Sequence, residues 1–200
     1  MSIEHKVLLV EKLFSQLDKE SAQFTRSSGL GCVSGCGKCC TYADVEASPL
    51  EFLPWAFHLF LNNEAEKTLD ILNNTDSPTC FIYKPFSNTG SGTCSNYKYR
   101  GLICRLFGFA ANTDKYGKLR LATCQIIKEG QAEKYKSTTE AITKGLHVPV
   151  FTEYYMQLNQ IDFNLGNVIL PVNKALKRAL EEVLQYYAYR PFPDVAKKTL

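Results

Sequence analysis

The most reactive side chains in this 200-residue chain are its eight cysteines. All of them lie between residues 32 and 124: Cys32, Cys36, Cys39, Cys40, Cys80, Cys94, Cys104 and Cys124. Cysteine thiolates are ligands for zinc, for iron and for iron–sulfur clusters. The clustering therefore predicts a metal-binding region over about residues 30 to 125.

Four of the cysteines fall in one short loop, Cys32-Val-Ser-Gly-Cys36-Gly-Lys-Cys39-Cys40. Its glycines allow the left-handed turns that several sulfur atoms need to converge on one point. Adjacent residues project in different directions, so Cys39 and Cys40 are not expected to bind the same ion. At four thiolates per tetrahedral site, eight cysteines predict two four-cysteine centres, with a single polynuclear cluster as the alternative. Zinc and iron, including an iron–sulfur cluster, both suit these ligands.

Disulfide bonds and unliganded buried thiols are the other interpretations of the cysteines. Eight cysteines in 200 residues are sparser than in small secreted disulfide proteins. The first residues show no basic segment followed by a long apolar stretch, so we expect an unprocessed, cytoplasmic chain with reduced thiols. An unliganded thiol suits Cys124 better than it suits the four cysteines of the loop.

Composition and charge give no support for nucleic-acid or membrane binding. The hydrophobic share of 45% and the charged share of 22% are typical of globular proteins. The formal charge of +3 would become slightly negative if eight thiolates bound two divalent cations. Lysine and arginine form no basic run, and the longest apolar runs are much shorter than a membrane-spanning helix. A protein partner or substrate is left unidentified.

The later cysteines stand in a recognisable order. Cys80 is followed by Phe81 and Ile82, and the next run is Cys94-Ser-Asn-Tyr-Lys-Tyr-Arg-Gly-Leu-Ile-Cys104-Arg105. Together with the loop, this order resembles the YkgJ-type cysteine-cluster family over about residues 30 to 125. The resemblance implies a zinc- or iron-chelating domain.

The sequence departs from that family pattern at two points. Three residues separate Cys32 from Cys36 where the family has two, and Gly101 stands where the family usually has proline. The first departure affects which cysteine completes which centre. The second is expected to loosen the turn before Cys104.

Two arginines are candidates for electrostatic support of the thiolates. Arg100 and Arg105 lie on either side of Cys104, and a neighbouring cation lowers the pKa of a thiol and offsets the charge of a cluster. The chain has only three histidines. His58 lies in a predicted helix, where a partly buried structural role is expected, so sites built on histidine are disfavoured.

Three alternative functions share some of these residues. The family pattern also occurs in flagellin lysine N-methylases, which implies an enzyme acting on protein lysines, although no G-x-G-x-x-G nucleotide motif is present. An iron–sulfur redox protein would use the same ligands. Radical S-adenosylmethionine enzymes share the spacing Cys32-x3-Cys36-x2-Cys39, but Lys38 replaces their usual aromatic residue and five cysteines are left unexplained.

Helical periodicity surrounds the cysteine region. Residues 3 to 24 carry apolar side chains at helical spacing: Ile3, Val7, Val10, Leu13, Phe14, Leu17 and Phe24. The capping box Ser48-Pro49-Leu50-Glu51 predicts a helix from about 49 to 62. Further helices are predicted at Glu64–Asn73, Gln131–Thr143, Val150–Gln160 and Pro171–Tyr189.

Between residues 79 and 125 the pattern changes to short strands with turn signals at 87–92 and 114–117. A hairpin with arms at about 106–112 and 118–124 would bring Cys124 towards Cys104 as a fourth ligand beside Cys80 and Cys94. We therefore expect a predominantly helical α+β fold, a single domain over residues 1–200. A cysteine-rich metal-binding core with a small β-hairpin is packed by helices at 3–24 and 130–190.

Overall fold

The computed structural model describes residues 1–33, 35–86 and 91–193. Helices dominate these residues: α1 Ile3–Ser28, α2 Leu53–Leu61, α3 Ala65–Asn73, α4 Leu102–Leu106, α5 Gln125–Gly130, α6 Ala132–Thr143, α7 Phe151–Ile161, α8 Phe163–Gly166 and α9 Val172–Tyr187. Single 3₁₀ turns occupy Lys38–Thr41, Pro49–Phe52 and Tyr97–Tyr99. The strands are short: β1 Glu46–Ala47, β2 Tyr83–Pro85, β3 Gly92–Cys94, β4 Ala110–Thr113, β5 Leu119–Ala122 and β6 Leu170–Pro171. They form antiparallel pairs β1–β6, β2–β3 and β4–β5, which confirms the predicted helical α+β class.

The first helix buries the residues that its periodicity predicts. The side-chain oxygen of Ser2 accepts a hydrogen bond from the backbone N–H of His5 and caps the start of α1. Gly29, with φ of 66°, ends the helix in the left-handed conformation. The helix runs about one turn past the predicted end, and its buried residues are Ile3, Val7, Val10, Leu13, Phe14, Leu17 and Phe24.

The helix predicted at 49–62 forms in two steps. Pro49–Phe52 make a 3₁₀ turn with the predicted capping box, and α2 continues to Leu61. Within α2, half-buried His58 stacks on the ring of Tyr99 at 4.6 Å between ring centroids. His58 therefore has the structural role that the sequence predicts.

Two clusters of buried apolar residues hold these elements together. The first and larger cluster joins most of α1, α2 and α9. Leu17 and Leu176 are fully buried in it, and Trp55 is almost fully buried. The second cluster lies at the other end of α1 and consists of Phe24, Leu30, Ala111, Leu121, Ile127, Ile142 and Val148. Because α1 contributes Leu17 to one cluster and Phe24 to the other, it connects both.

The predicted hairpin forms, but its first arm begins later than expected. Residues up to Leu106 belong to α4, and Gly108 turns the chain with φ of 96°. The N–H of Gly108 donates to the carbonyl oxygen of Ala122 at 2.8 Å, and the strand pairing itself begins at Ala110, opposite Ala122. Most of the predicted turn at 87–92 and most of the C-terminal segment after residue 193 lie outside the described residues.

Among the described residues, none of the helices combines the length and the apolar character needed to cross a membrane.

Replacement of Leu17 by alanine tests the role of α1 in the first cluster. Leu17 is fully buried, so L17A should lower the free energy of unfolding by about 2–5 kcal/mol through lost burial and a new cavity. Leu8 lies on the same helix but is 40% exposed, so L8A should change it by less than about 0.5 kcal/mol. Urea denaturation of both variants provides the measurement, and equal losses would contradict this assignment of the core.

Candidate metal centre

The cysteine loop, residues 32–40, depends on glycine for its shape. Gly35 and Gly37 have φ of 71° and 55°, which only glycine adopts without strain. A Cβ atom on Gly37 would also lie 2.6 Å from the carbonyl oxygen of Gly92 and 2.7 Å from the ring of Tyr83. The loop therefore packs closely against the β2–β3 hairpin, and the predicted left-handed glycine turns are confirmed.

Backbone hydrogen bonds fix the loop at its middle and at its end. The N–H of Gly92 donates to the carbonyl oxygen of Gly35 at 3.1 Å. The N–H of Cys80 donates to the carbonyl oxygen of Cys40, also at 3.1 Å. Both bonds come from the segments that carry Cys80 and Cys94, so they bring these cysteines to the loop.

The start of the loop is bound to a different part of the chain. The side-chain amide of Gln131 accepts from the N–H of Gly31 at 3.2 Å and donates to its carbonyl oxygen at 2.6 Å. Gln131 follows α5, and Cys124 is the N-cap residue of that helix. This reciprocal pair holds the beginning of the loop against the end of α5.

The segment around Cys80 is also bound to the last long helix. Asn173, in the first turn of α9, accepts a hydrogen bond from the N–H of Phe81 at 2.8 Å. Its amide group donates to the carbonyl oxygens of Ser77 and Thr79, each at 2.9 Å. Asn173 thus fixes the backbone on both sides of Cys80.

All eight cysteines are free thiols, and they gather around the loop in two sets. Cys40 interacts electrostatically with Cys80 and Cys104, and the latter two each interact with Cys94. In the second set, Cys32 interacts with Cys36 and Cys124. The thiol of Cys39 is hydrogen-bonded to Cys40 and interacts with the other members of the first set, and it also interacts with Cys32 of the second.

Cys124 does not join the cysteines that the sequence pairs it with. The predicted hairpin was expected to carry it to Cys104, Cys80 and Cys94. Instead Cys124 packs against the second hydrophobic cluster, whereas Cys80 and Cys94 pack against the first. The physical reason is that β4 and β5 fold onto the second cluster through Ala111 and Leu121, which directs the end of the hairpin towards Cys32.

Comparison with protein families assigns this constellation. A model of the CxxCxxCC family, described as a "putative zinc- or iron-chelating domain", matches residues 31–140. The chain belongs to the CxxCxxCC family. No curated protein and no solved structure is significantly similar to it.

The thiols of this CxxCxxCC protein are mostly held neutral by their surroundings. Burial raises the pKa of Cys80 to about 11 and raises that of Cys104 further, with neighbouring negative charges adding to the effect. Cys39 is the exception, because the thiol of Cys40 donates a hydrogen bond to its sulfur and lowers its pKa. The same bond raises the pKa of Cys40. Cys80 and Cys104 are therefore neutral thiols near pH 7.

Arg100 and Arg105 differ in their roles. Arg105 is almost fully buried, and its guanidinium lies on the ring of Phe14. It binds the carboxylate of Asp18 and donates to the carbonyl oxygens of Lys98 and Arg100. Arg105 is therefore mainly a structural brace between α1 and α4.

Arg100 acts more directly on the thiols. Its positive charge adds to the hydrogen bond from Cys40 that lowers the pKa of Cys39, and it partly offsets the burial that raises the pKa of Cys94. Its guanidinium also lies 4.2 Å from the ring centroid of Tyr97, which is 63% exposed and so has no core-packing role. The Nε atom of Arg100 is buried without a hydrogen-bond partner among the described residues.

Glu51 is a buried carboxyl group beside the cysteines. Its sequence pattern predicts only a role in capping a helix. It accepts hydrogen bonds from the N–H of Ser48 at 2.7 Å and the N–H of Ile103 at 2.8 Å. Burial raises its pKa to about 7 in spite of these donors. Because Ile103 precedes Cys104, Glu51 fixes the start of α4 and hence the position of that thiol.

The glycine at 101 is explained by space and not by flexibility. Its φ of −64° is ordinary for any residue, so backbone conformation does not require glycine here, and the loosening of this turn stays a prediction. A Cβ atom there would lie 2.7 Å from Oε2 of Glu51 and 2.9 Å from the ring of Phe52. The proline that the family usually carries at this position would meet the same atoms.

The donor set fits a thiophilic metal, although the thiols are not arranged as a coordination shell. Within residues 1–33, 35–86 and 91–193, no three cysteine, histidine, aspartate or glutamate side chains stand in an arrangement that would hold a metal ion. The soft sulfur donors, their convergence and the positive charge of Arg100 suit zinc or iron. Binding requires side-chain rotation and loss of protons, while the loop backbone is already in place.

Replacement of Gly101 by alanine tests the packing between Glu51 and the start of α4. G101A should lower the free energy of unfolding by about 1–3 kcal/mol, because the added methyl group must displace a buried carboxylate and ring. Gly130 has no atom within 4 Å of an added Cβ, so G130A should be neutral or slightly stabilising. Denaturant titration of both variants measures the difference, and a neutral G101A would contradict the steric explanation.

Proposed function

We propose that this protein binds zinc or iron through the thiolates of its eight cysteines, arranged as two four-cysteine centres. The observation that supports it is the convergence of cysteines from four separate segments. These segments are the loop at 32–40, the β2–β3 hairpin region, helix α4 and the N-cap of α5. Backbone hydrogen bonds from Gly92 and Cys80 to the loop give this convergence a structural cause.

The electrostatics of the site favour binding of a cation. Burial raises the pKa of Cys32 and Cys104, and neighbouring cysteines raise it further, because each thiolate disfavours the next. A divalent cation reverses the sign of that interaction and allows the thiols to ionise together. Arg100 reduces the remaining negative charge near Cys39 and Cys94.

In this proposal the metal would supply structural cross-links, with electron transfer as the alternative if an iron–sulfur cluster is bound. Cys80 and Cys94 would bind from the first hydrophobic cluster and Cys124 from the second. Gln131, Asn173 and Glu51 keep the cysteine-bearing segments in position through hydrogen bonds to the backbone.

Metal analysis after expression without oxygen tests the proposal. We expect about two equivalents of zinc, or iron with acid-labile sulfide and broad visible absorbance, in the purified protein. Substitution of Cys40 by serine should remove about one equivalent, because it deletes a ligand at the junction of the two sets. The matched control is Thr41→Ser, which keeps the hydroxyl that donates to the carbonyl oxygen of Lys38 and should leave metal content unchanged.

Different results would separate the alternatives. Protein that contains neither metal after anaerobic expression would overturn the proposal, and about one equivalent that is unaffected by C40S would overturn the two-centre arrangement. A colourless zinc protein would exclude the iron–sulfur alternative. Methyl transfer to lysine, or reductive cleavage of S-adenosylmethionine, would instead identify an enzyme.

A further inference from the structure

The four cysteines outside the loop divide according to the hydrophobic cluster on which they lie. Cys80 and Cys94 pack against the first cluster, and Cys104 lies on α4, whose Leu102 and Leu106 belong to the same cluster. Cys124 packs against the second cluster. Cys124 therefore lies on a different part of the apolar interior from Cys80, Cys94 and Cys104.

The cysteine loop reaches from one cluster to the other. At its end, the carbonyl oxygen of Cys40 accepts from the N–H of Cys80. At its start, Gly31 is bound in both directions by Gln131, at the end of the helix that Cys124 caps. The loop thus begins at the C-terminal end of the helix whose N-terminus Cys124 caps, where Cys32 interacts with Cys124, and it ends beside Cys80.

The cysteines differ in access to solvent. Cys32 and Cys39 are exposed, whereas the other six cysteines are half-buried. An open cleft of about 370 Å³ reaches Cys36, with exposed apolar side chains and one lysine around it. The residues lining this cleft are Val33, Gly35, Cys36, Lys38, Phe86, Ser91 and Ile126.

We propose, on the basis of the metal-binding function above, that the two sets form inequivalent centres. The inner centre consists of Cys40, Cys80, Cys94 and Cys104 and retains its metal. The outer centre consists of Cys32, Cys36, Cys39 and Cys124 and exchanges its metal with soluble ligands. Cys39 is assigned to it because Cys39 is exposed, whereas its neighbour Cys40 is half-buried. A small thiol or chelator reaches Cys32 and Cys39 directly from solvent and Cys36 through the cleft. The inner set contains no exposed cysteine and is held by Asn173 and by the hairpin.

Zinc release tests this division. The reduced, metal-free full chain is loaded with zinc alone and then mixed with the chromogenic chelator 4-(2-pyridylazo)resorcinol. We expect two phases of equal amplitude whose rates differ by about tenfold or more. In parallel, N-ethylmaleimide modification followed by peptide mass analysis should label Cys32, Cys36, Cys39 and Cys124 during the fast phase.

Substitutions assign each phase to its centre. Cys124→Ser should remove the fast phase and keep the slow one. The matched control is Gln125→Ala, an exposed neighbouring residue, which should keep both phases. If the Cys124 variant has lost its helical circular dichroism signal, Cys32→Ser, in the exposed part of the loop, provides the same test.

The outcomes distinguish this inference from the proposed function itself. Two equivalents of zinc that leave in one phase, with all eight cysteines modified together, would overturn the division while leaving metal binding intact. Loss of both phases in folded C124S and C32S proteins would overturn it as well. A chain that binds no zinc and no iron would contradict the proposed function, on which the division rests.

Discussion

Buried thiols resist ionisation, and thiolates gathered at one place also repel one another; the cysteine region depends on this constraint. Burial and, to a smaller extent, neighbouring cysteines raise the pKa of Cys32, Cys80 and Cys104, so these three groups are neutral thiols unless a cation joins them. Ordering the loop costs conformational entropy, and backbone hydrogen bonds already hold the loop in place without a metal. Hydrogen bonds from Gly92, Cys80 and Gln131 hold the loop without using any sulfur atom. The sulfur atoms remain available for ligation while the chain around them is already ordered.

Helix α1 contributes to the cysteine region although it carries no cysteine. Its Asp18 carboxylate binds both Arg105 and Arg100, the latter at 3.4 Å, and its Phe14 ring supports the Arg105 guanidinium. The ion pair satisfies most of the charge of Arg105, whereas Arg100 keeps a buried Nε without a partner in the described chain. The two arginines therefore have different roles. Arg105 connects α1 to α4, and the charge of Arg100 favours the thiolate forms of Cys39 and Cys94.

Sequence patterns predicted the helices well because their signals are local. The buried face of α1 and the capping box before α2 follow from spacing alone. The grouping of Cys124 could not be predicted in the same way, because it depends on which hydrophobic cluster receives the β4–β5 hairpin. Asn173 was missed for a similar reason: it is an ordinary polar residue of a helix, and its role arises from segments about ninety residues away.

The contact between Gly101 and Glu51 has a consequence for evolution within the CxxCxxCC family. In a relative with proline at the position of Gly101, a glutamate at the position of Glu51 would have to shift, because an added Cβ atom would lie 2.7 Å from the carboxylate oxygen Oε2. The two positions are expected to covary, with a shorter side chain at 51 accompanying proline at 101. The carboxyl group beside Cys104 would then be a lineage-specific substitution, and the N–H of Ile103 would need another acceptor in those relatives.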